Sequence, residues 1–216
     1  LTSTVQYDTR NDRFMTSKGI LTSFSYEYAG VGGDLKYQKG TAIFRYFKNI
    51  FWDVIWRNSA TYGKIESLAG AQVPPFNQLY LLGGPYSLRG YRPYQVGKQV
   101  RSQKKYNDTF AANGGNALLA EQSAQVFYGG QQQFLYQTEL QFPLIGEAKI
   151  MGVLFYDVGQ AEDQLRPNRF FGDVGFGIRW FSPIGPLRFE WGFPMNRDPI
   201  YNQDPMIFDF SIGTPF

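Results

Sequence analysis

Four residues of this chain carry chemistry from defined settings. Arg89 lies in LLGGPYSLRGYRPYQVG, Leu81 to Gly97, between glycines and aromatics. Glu139 lies in QQQFLYQTELQF, Asp157 in FYDVG and Arg179 in GDVGFGIRWF. Two carboxylates with arginines can form an acid–base site or a cluster of charge-assisted hydrogen bonds. The acid–base reading lacks its usual companions. Histidine and cysteine are both absent, which removes Ser-His and Cys-His nucleophile pairs, imidazole bases and thiolate or imidazole metal sites. A carboxylate-only hydrolase needs two acids at a set separation across a sugar cleft, and nothing in the sequence marks one. The expectation is therefore no enzyme, no catalytic residue, no metal and no cofactor. Asp8, Arg10, Asp12 and Arg13 cluster near the start and read as a polar turn rim rather than a cation site. The basic run Lys98–Lys105 reads as a solvated loop, with phosphates of lipopolysaccharide as the alternative contact. The net charge of +3 is too small to argue for nucleic acid.

The elements that must position these residues announce themselves by a period of two. In MIFDFSIGTPF, Phe208, Phe210, Ile212, Thr214 and Phe216 share one phase, and Asp209, Ser211 and Gly213 share the other. GPLRFEWGF sets Leu187, Phe189, Trp191 and Phe193 against Arg188, Glu190 and Gly192. GDVGFGIRWF and QQQFLYQTELQF repeat the alternation, with Arg179 and Glu139 on the polar phase. Such runs are strands with one apolar and one polar face. Nine are expected, at about 2–9, 18–29, 39–48, 51–64, 132–143, 147–159, 171–182, 186–194 and 206–216.

A soluble sandwich and a transmembrane barrel both fit that pattern. Three features favour the barrel. Several strands approach the 9–11 residues that a tilted strand needs to cross a bilayer. Trp52, Trp56, Tyr62, Trp180 and Trp191 fall near strand ends, as interfacial aromatics do. The polar phase mixes charges with glycines, which suits a crowded lumen. Charged residues make up only 18%, below the usual quarter or so of soluble domains, and no apolar run is long enough for a spanning helix. The fold class expected is all-β, a transmembrane antiparallel barrel. Tight links at FKNIF, PLIGE and SPIGP alternate with longer ones at the opposite ends. The longest link, about 65–131, carries Leu88-Arg89-Gly90-Tyr91 and is expected to be external. No signal peptide is visible at Leu1, so the reading is a mature chain or an excised piece.

Quoted in order, the motifs resemble the BamA-type outer-membrane assembly and two-partner secretion family. GGPYSLRGY is similar to that family's sixth external loop signature, and FYDVG to its Phe-x-Asp-x-Gly strand motif. ELQFP, RWFSPIGPLRFEWGFP, FDFSIGTPF and DTRNDRFMTSKG resemble further segments of the same barrel. The resemblance implies the C-terminal half of a sixteen-stranded barrel, starting near the eighth or ninth strand. The family's periplasmic domains and first strand are missing from this reading. Residues 1–216 are then one partial barrel domain. Eight strands closing into a small barrel, with the first segment peripheral, is the expected way to complete it.

In that setting Arg89 can fold back into the lumen, where a guanidinium must be paired. Asp157 and Glu139 fall on the lumenal phase. Phe155 and Tyr91 are placed to stack on the guanidinium, and Gly90 lets the backbone pass close to the wall. The resemblance implies the same Arg89–Asp157 pairing, as a structural lock for the loop. It also implies that Phe208, Phe210, Ile212 and Phe216 form a C-terminal assembly signal. The implied function is folding and insertion of outer-membrane proteins by strand-edge pairing, in the bacterial cell outer membrane. Implied partners are outer-membrane lipids including lipopolysaccharide, client outer-membrane proteins, and assembly-machine lipoproteins bound through domains outside this chain. A TamA-type or two-partner secretion pore and a passive porin-like channel are the alternatives.

Overall fold

Residues 1–30, 32, 35–68, 74–182, 185–197 and 204–213 are described by a computed structural model. In chain order the strands are β1 (Thr2–Asp8), β2 (Gly19–Ala29), β3 (Tyr37–Phe51), β4 (Val54–Ser67), β5 (Gln99–Arg101), β6 (Gln125–Phe127), β7 (Gln132–Ile145), β8 (Ile150–Glu162), β9 (Phe171–Ser182), β10 (Gly185–Pro194) and β11 (Ile207–Ile212). Two helices, α1 (Gln103–Ala112) and α2 (Ala117–Ala124), lie between β5 and β6. Nine of the strands make one antiparallel sheet in the order β1-β2-β3-β4-β7-β8-β9-β10-β11. It is a meander, interrupted only by the β4–β7 connection, which holds β5, both helices and β6 as a separate small unit.

The period-two pattern decides the faces. Leu140, Leu154, Phe176, Trp191 and Phe208 are successive cross-strand neighbours. They form one apolar row on the convex side. Phe176 stacks on Trp191 at 5.3 Å between ring centroids, and Trp191 meets Phe208 at 5.1 Å. Aromatic pairs at such separations add to sheet stability beyond the area they cover. The opposite phase carries Arg57, Gln137, Glu139, Asp157, Asp173, Arg179, Arg188 and Glu190, all buried. Polar residues inside and large apolar residues outside invert the pattern of a soluble domain. They match a barrel wall that faces lipid outside and its own contents inside.

The tight turn between β3 and β4 falls later than FKNIF, the link expected from the sequence, whose residues continue β3 to Phe51 in pairing with β4. Trp52 and Asp53 both take positive φ, 42° and 62°, and close the β3–β4 hairpin in two residues. Hairpins of this length favour such turns because their twist matches that of the strands. Trp56 and Trp180 lie near this end of their strands, and Tyr62 and Trp191 lie toward the other. The SPIGP hairpin lies partly outside the described residues.

The concave side is filled by the first part of the β4–β7 connection. Its Tyr80, Leu82, Leu88, Tyr91 and Val96 pack against Tyr37, Ile65, Leu135 and Ala161 of the wall, forming a small buried core. The wall residues in this core all sit toward the strand ends that carry the long links. Charged wall residues occupy the rest of the depth.

One expectation fails. The sheet does not close as eight strands with a peripheral first segment. β1 pairs with β2 through seven consecutive residues, so nine strands are integral, and among the described residues β1 and β11 do not pair. The alternation in β1, with Val5 and Tyr7 opposite Phe24 and Thr22 on the outer phase, continues that of its neighbours and leaves no reason for it to peel away.

Candidate functional site

The site starts from a turn that folds on itself. Gly83 and Gly84 take φ values of 107° and 94°, a conformation that side chains other than glycine rarely adopt. The Gly84 N–H then faces the carbonyls of Leu88 and Tyr91, at 3.1 and 2.9 Å. Ser87 Oγ accepts from the Gly83 N–H at 2.8 Å. Gln137 of β7 holds the turn from the wall, its Nε2 donating to the Ser87 carbonyl at 2.8 Å. These bonds leave Leu88 pointing into the small core and Arg89 pointing to the wall.

Arg89 is 1% exposed. Its Nε donates to Asp157 Oδ2 at 2.7 Å and its Nη2 to Asp157 Oδ1 at 2.6 Å, a bidentate fork. Nη1 donates to Glu139 Oε1 at 2.5 Å. The Phe155 ring centroid lies 3.6 Å from the guanidinium carbon. β8 supplies Phe155 and Asp157 at i and i+2 on one face, and β7 places Glu139 directly opposite Phe155. Three planar partners thus enclose one planar cation, a geometry suited to arginine and poorly to lysine.

The cluster is larger than this triad. Arg179 of β9 donates to both oxygens of Glu139, at 2.8 and 2.6 Å, and its Nη2 reaches Glu190 Oε1 at 2.7 Å. Arg188 of β10 donates to Glu190, and also to the Pro85 carbonyl of the turn at 3.0 Å. Arg57 of β4 stands opposite Glu139 and donates to Gln141 Oε1 at 2.8 Å. Among the described residues, four buried arginines thus share three buried carboxylates, Glu139, Asp157 and Glu190, while Asp173, also buried, stands opposite Asp157 and makes no ion pair with them. Arg179 and Arg188 are direct cross-strand neighbours. Like charges in that position repel; Glu190 offsets the repulsion by bridging the two, and Glu139 adds a second carboxylate to Arg179. Such matching is what a set of charges away from water requires. What such an arrangement can do is fix a loop to several strands at once.

The sequence-predicted residues fall as follows. Arg89, Asp157, Glu139 and Phe155 come together. Gly90 runs against the wall so closely that an added Cβ would lie 2.5 Å from Asp173 Cβ. Tyr91 does not stack on the guanidinium. Its hydroxyl donates to the Gly172 carbonyl at 3.1 Å and its ring meets Phe171 edge-on. A phenol buried between two strand ends is better served by a backbone acceptor than by a cation already enclosed. Phe208, Phe210 and Ile212 line the outer face of β11, while Phe216 lies outside the described residues. Arg188, Glu190, Asp173 and Arg57 complete the cluster without having been singled out by the motif. Their signal was their shared polar phase, with Arg188 and Glu190 at i and i+2 in PLRFEWGF.

The other candidate clusters have local explanations. Asp8 is bonded by Arg10 Nε at 2.9 Å. Asp12 accepts the Phe14 and Met15 N–H groups at 2.7 Å each. Those two bonds hold the Asp12 carboxyl below the usual carboxylate range. Lys98 pairs with Asp163 at 2.5 Å and Arg101 with Glu121 at 3.0 Å, and Lys104 and Lys105 are exposed on α1.

Comparison with known proteins adds the following. The family model described as the Omp85 superfamily domain matches residues 1–216. The outer membrane protein assembly factor BamA of Nitratidesulfovibrio vulgaris is 23% identical over 220 residues, covering 97% of this chain and 24% of that protein. The sorting and assembly machinery component 50 homolog of Xenopus tropicalis is 28% identical over 115 residues, covering 53% of this chain and 24% of that protein. A crystal structure of BamA from Haemophilus ducreyi lacking POTRA domains 1–3 has the same fold. Its TM-score is 0.76 at 21% identity, covering 97% of this chain and 41% of that one. The chain therefore spans about a quarter of the length of the curated relatives it matches.

Proposed function

Because this chain belongs to the Omp85 superfamily, whose bacterial members lie in the outer membrane, we propose that it is the C-terminal part of the barrel of an outer-membrane protein assembly factor. The role is non-enzymatic. The β4–β7 connection is an external loop, folded into the barrel and held there by Arg89 on Asp157 and Glu139. The terminal strand β11 offers an edge to which a strand of a client outer-membrane protein adds by main-chain pairing. Lipids of the outer membrane, including lipopolysaccharide, surround the convex face. Assembly-machine lipoproteins bind through parts of the protein beyond this chain.

One observation carries the reading: Arg89, at the tip of a loop, is completely buried and bonded to two carboxylates on adjacent wall strands. A loop so held occludes the lumen and fixes the strands behind β11, which suits assembly at an edge more than passage through a pore. The test uses the full-length protein in proteoliposomes. Wild-type protein is expected to accelerate insertion of an unfolded outer-membrane barrel, and Arg89→Ala to remove most of that acceleration. Single-channel recording is the companion measurement. A large, steady conductance with no acceleration of insertion would overturn the reading in favour of a translocation pore or a porin-like channel.

A further inference from the structure

The pairing of β10 with β11 determines which backbone groups of the last strand are free. Gly213 N–H donates to the Pro186 carbonyl at 2.8 Å, so these two residues occupy a hydrogen-bonded position of the ladder, joined by a single bond because proline has no N–H to return. In an antiparallel pair the bonded and non-bonded positions alternate. Leu187 and Ile212 are the next partners in the register, followed two rungs on by Phe189 and Phe210, then Trp191 and Phe208. The N–H and C=O groups of Ile212, Phe210 and Phe208 therefore point away from β10, toward the side on which no described strand pairs with β11. These are the groups that an added strand has to use.

One of them is occupied by the loop. Tyr86 Oη donates to the Ile212 carbonyl at 3.2 Å. The tyrosine is held where it can do so. The Arg188 guanidinium lies 5.5 Å from the centre of its ring and donates to the carbonyl of the preceding residue, Pro85. Arg188 in turn shares Glu190 with Arg179, and Arg179 shares Glu139 with Arg89. A continuous chain of charge-assisted bonds thus runs from the buried arginine to the Pro85 carbonyl, next in the chain to the tyrosine on the sheet edge. Ile212 stands opposite Leu187 near the start of β10, so the covered rung is at the tight-turn end.

We infer that Tyr86 is an edge guard: its hydroxyl caps the terminal rung of β11, and a strand that pairs there must displace it. The inference rests on the reading of β11 as the acceptor of client strands. An unpaired edge carbonyl is a template for unwanted pairing. A single neutral hydrogen bond covers it at a strength that a full ladder overcomes, because each such bond contributes only about 0.5–1.5 kcal/mol. The guard also makes access to the edge depend on the loop, since releasing Arg89 frees the segment that carries Tyr86.

The test compares wild type with Tyr86→Phe in the full-length protein in proteoliposomes. The variant keeps the ring over Arg188 and removes only the donor. Hydrogen exchange of the segment 206–213, followed by mass spectrometry without any added strand, is expected to rise about two- to tenfold, the factor that one such bond represents. A second arm places a cysteine at Phe210 (Phe210→Cys) and adds a synthetic peptide of the β11 sequence bearing one cysteine. Disulfide capture in that arm should rise by a similar factor in Tyr86→Phe. Unchanged exchange overturns the inference whatever the capture arm gives. Exchange that rises while neither protein captures the peptide supports the cap and instead sinks the reading of β11 as an acceptor. A Tyr86→Phe protein whose loop also becomes protease-sensitive would make Tyr86 a loop anchor rather than a guard, and overturns the inference as well.

Discussion

At the scale of the residue, Arg89 is stable inside the sheet only because its charge is divided between two acids and its plane is covered by Phe155. Removing it leaves Asp157 buried without its cation, while Glu139 keeps Arg179. Breaking a buried pair from one side costs about 3–5 kcal/mol, so Arg89→Ala should lower unfolding stability in detergent or vesicles by that order. Arg89→Lys keeps the charge but not the fork, and its ammonium can serve one carboxylate well and not both. We expect it to recover less than half of the loss, measured as the urea midpoint at an unchanged slope. Full recovery by lysine would mean that charge alone, without planar geometry, holds the loop. The residues alone left Arg89 open to a solvated place on a surface loop; it was the ordered motifs' resemblance to the family, with the carboxylates on one strand phase, that pointed to its burial. The Tyr91 contact was not legible. Whether a tyrosine offers its face to a cation or its hydroxyl to a carbonyl depends on which backbone acceptors lie within reach, and here Gly172 belongs to a strand eighty residues away in the chain.

At the scale of the element, the loop and β10 fit each other through absent side chains. A Cβ on Gly192 would stand 2.6 Å from the backbone of Arg89 and Gly90, whereas one on Gly40 of β3 would meet nothing within 4 Å. Gly192→Ala therefore has to push loop backbone rather than a flexible side-chain end, and overpacking of that kind costs about 1–3 kcal/mol. Gly40→Ala restricts the unfolded chain without a clash and should be neutral or stabilising by up to about 1 kcal/mol. Thermal unfolding of the two variants, side by side with protease sensitivity of residues 79–97, checks the contrast. Loop release in Gly192→Ala but not Gly40→Ala is the expected result, and equal behaviour would refute the close fit. The strands themselves were readable to within a few residues, since alternation of aromatics is a strong period-two signal. The helices α1 and α2 were not, and the physical reason is visible in their surfaces. Most side chains of α1 are exposed, and α2 buries only Ala120 and Ala124, so no stripe of large apolar residues marks either helix. Local caps, Ser102 on Lys105 and Asn116 on Leu118 and Leu119, do what packing does elsewhere.

At the scale of the whole molecule, the question is what each face of the sheet meets. Closure was misjudged from the sequence because strand count alone does not say which edges pair; that depends on the register between the first and last strands, for which no local signal exists. The facing of the sheet was legible, and it makes a depth-dependent prediction. Leu154 lies near the middle of β8 and is 51% exposed, with Leu140 and Phe176 beside it on the convex side. Leu187 points the same way but sits beside Gly185, at the tight-turn end of β10. On the lipid face of a barrel, an arginine costs about 2–4 kcal/mol at the bilayer midplane and about 0–1 near the interface. Leu154→Arg should therefore destabilise the full-length protein in vesicles several-fold more than Leu187→Arg, because the guanidinium of the second can reach the headgroups. On a water-facing surface the same Leu154→Arg change removes an exposed apolar side chain and would be close to neutral. Folding titrations in vesicles separate the two cases. Equal and small effects at both positions would mean that hydrocarbon does not cover this face, and the inverted distribution of arginines and aromatics would then need a protein partner rather than a membrane to explain it.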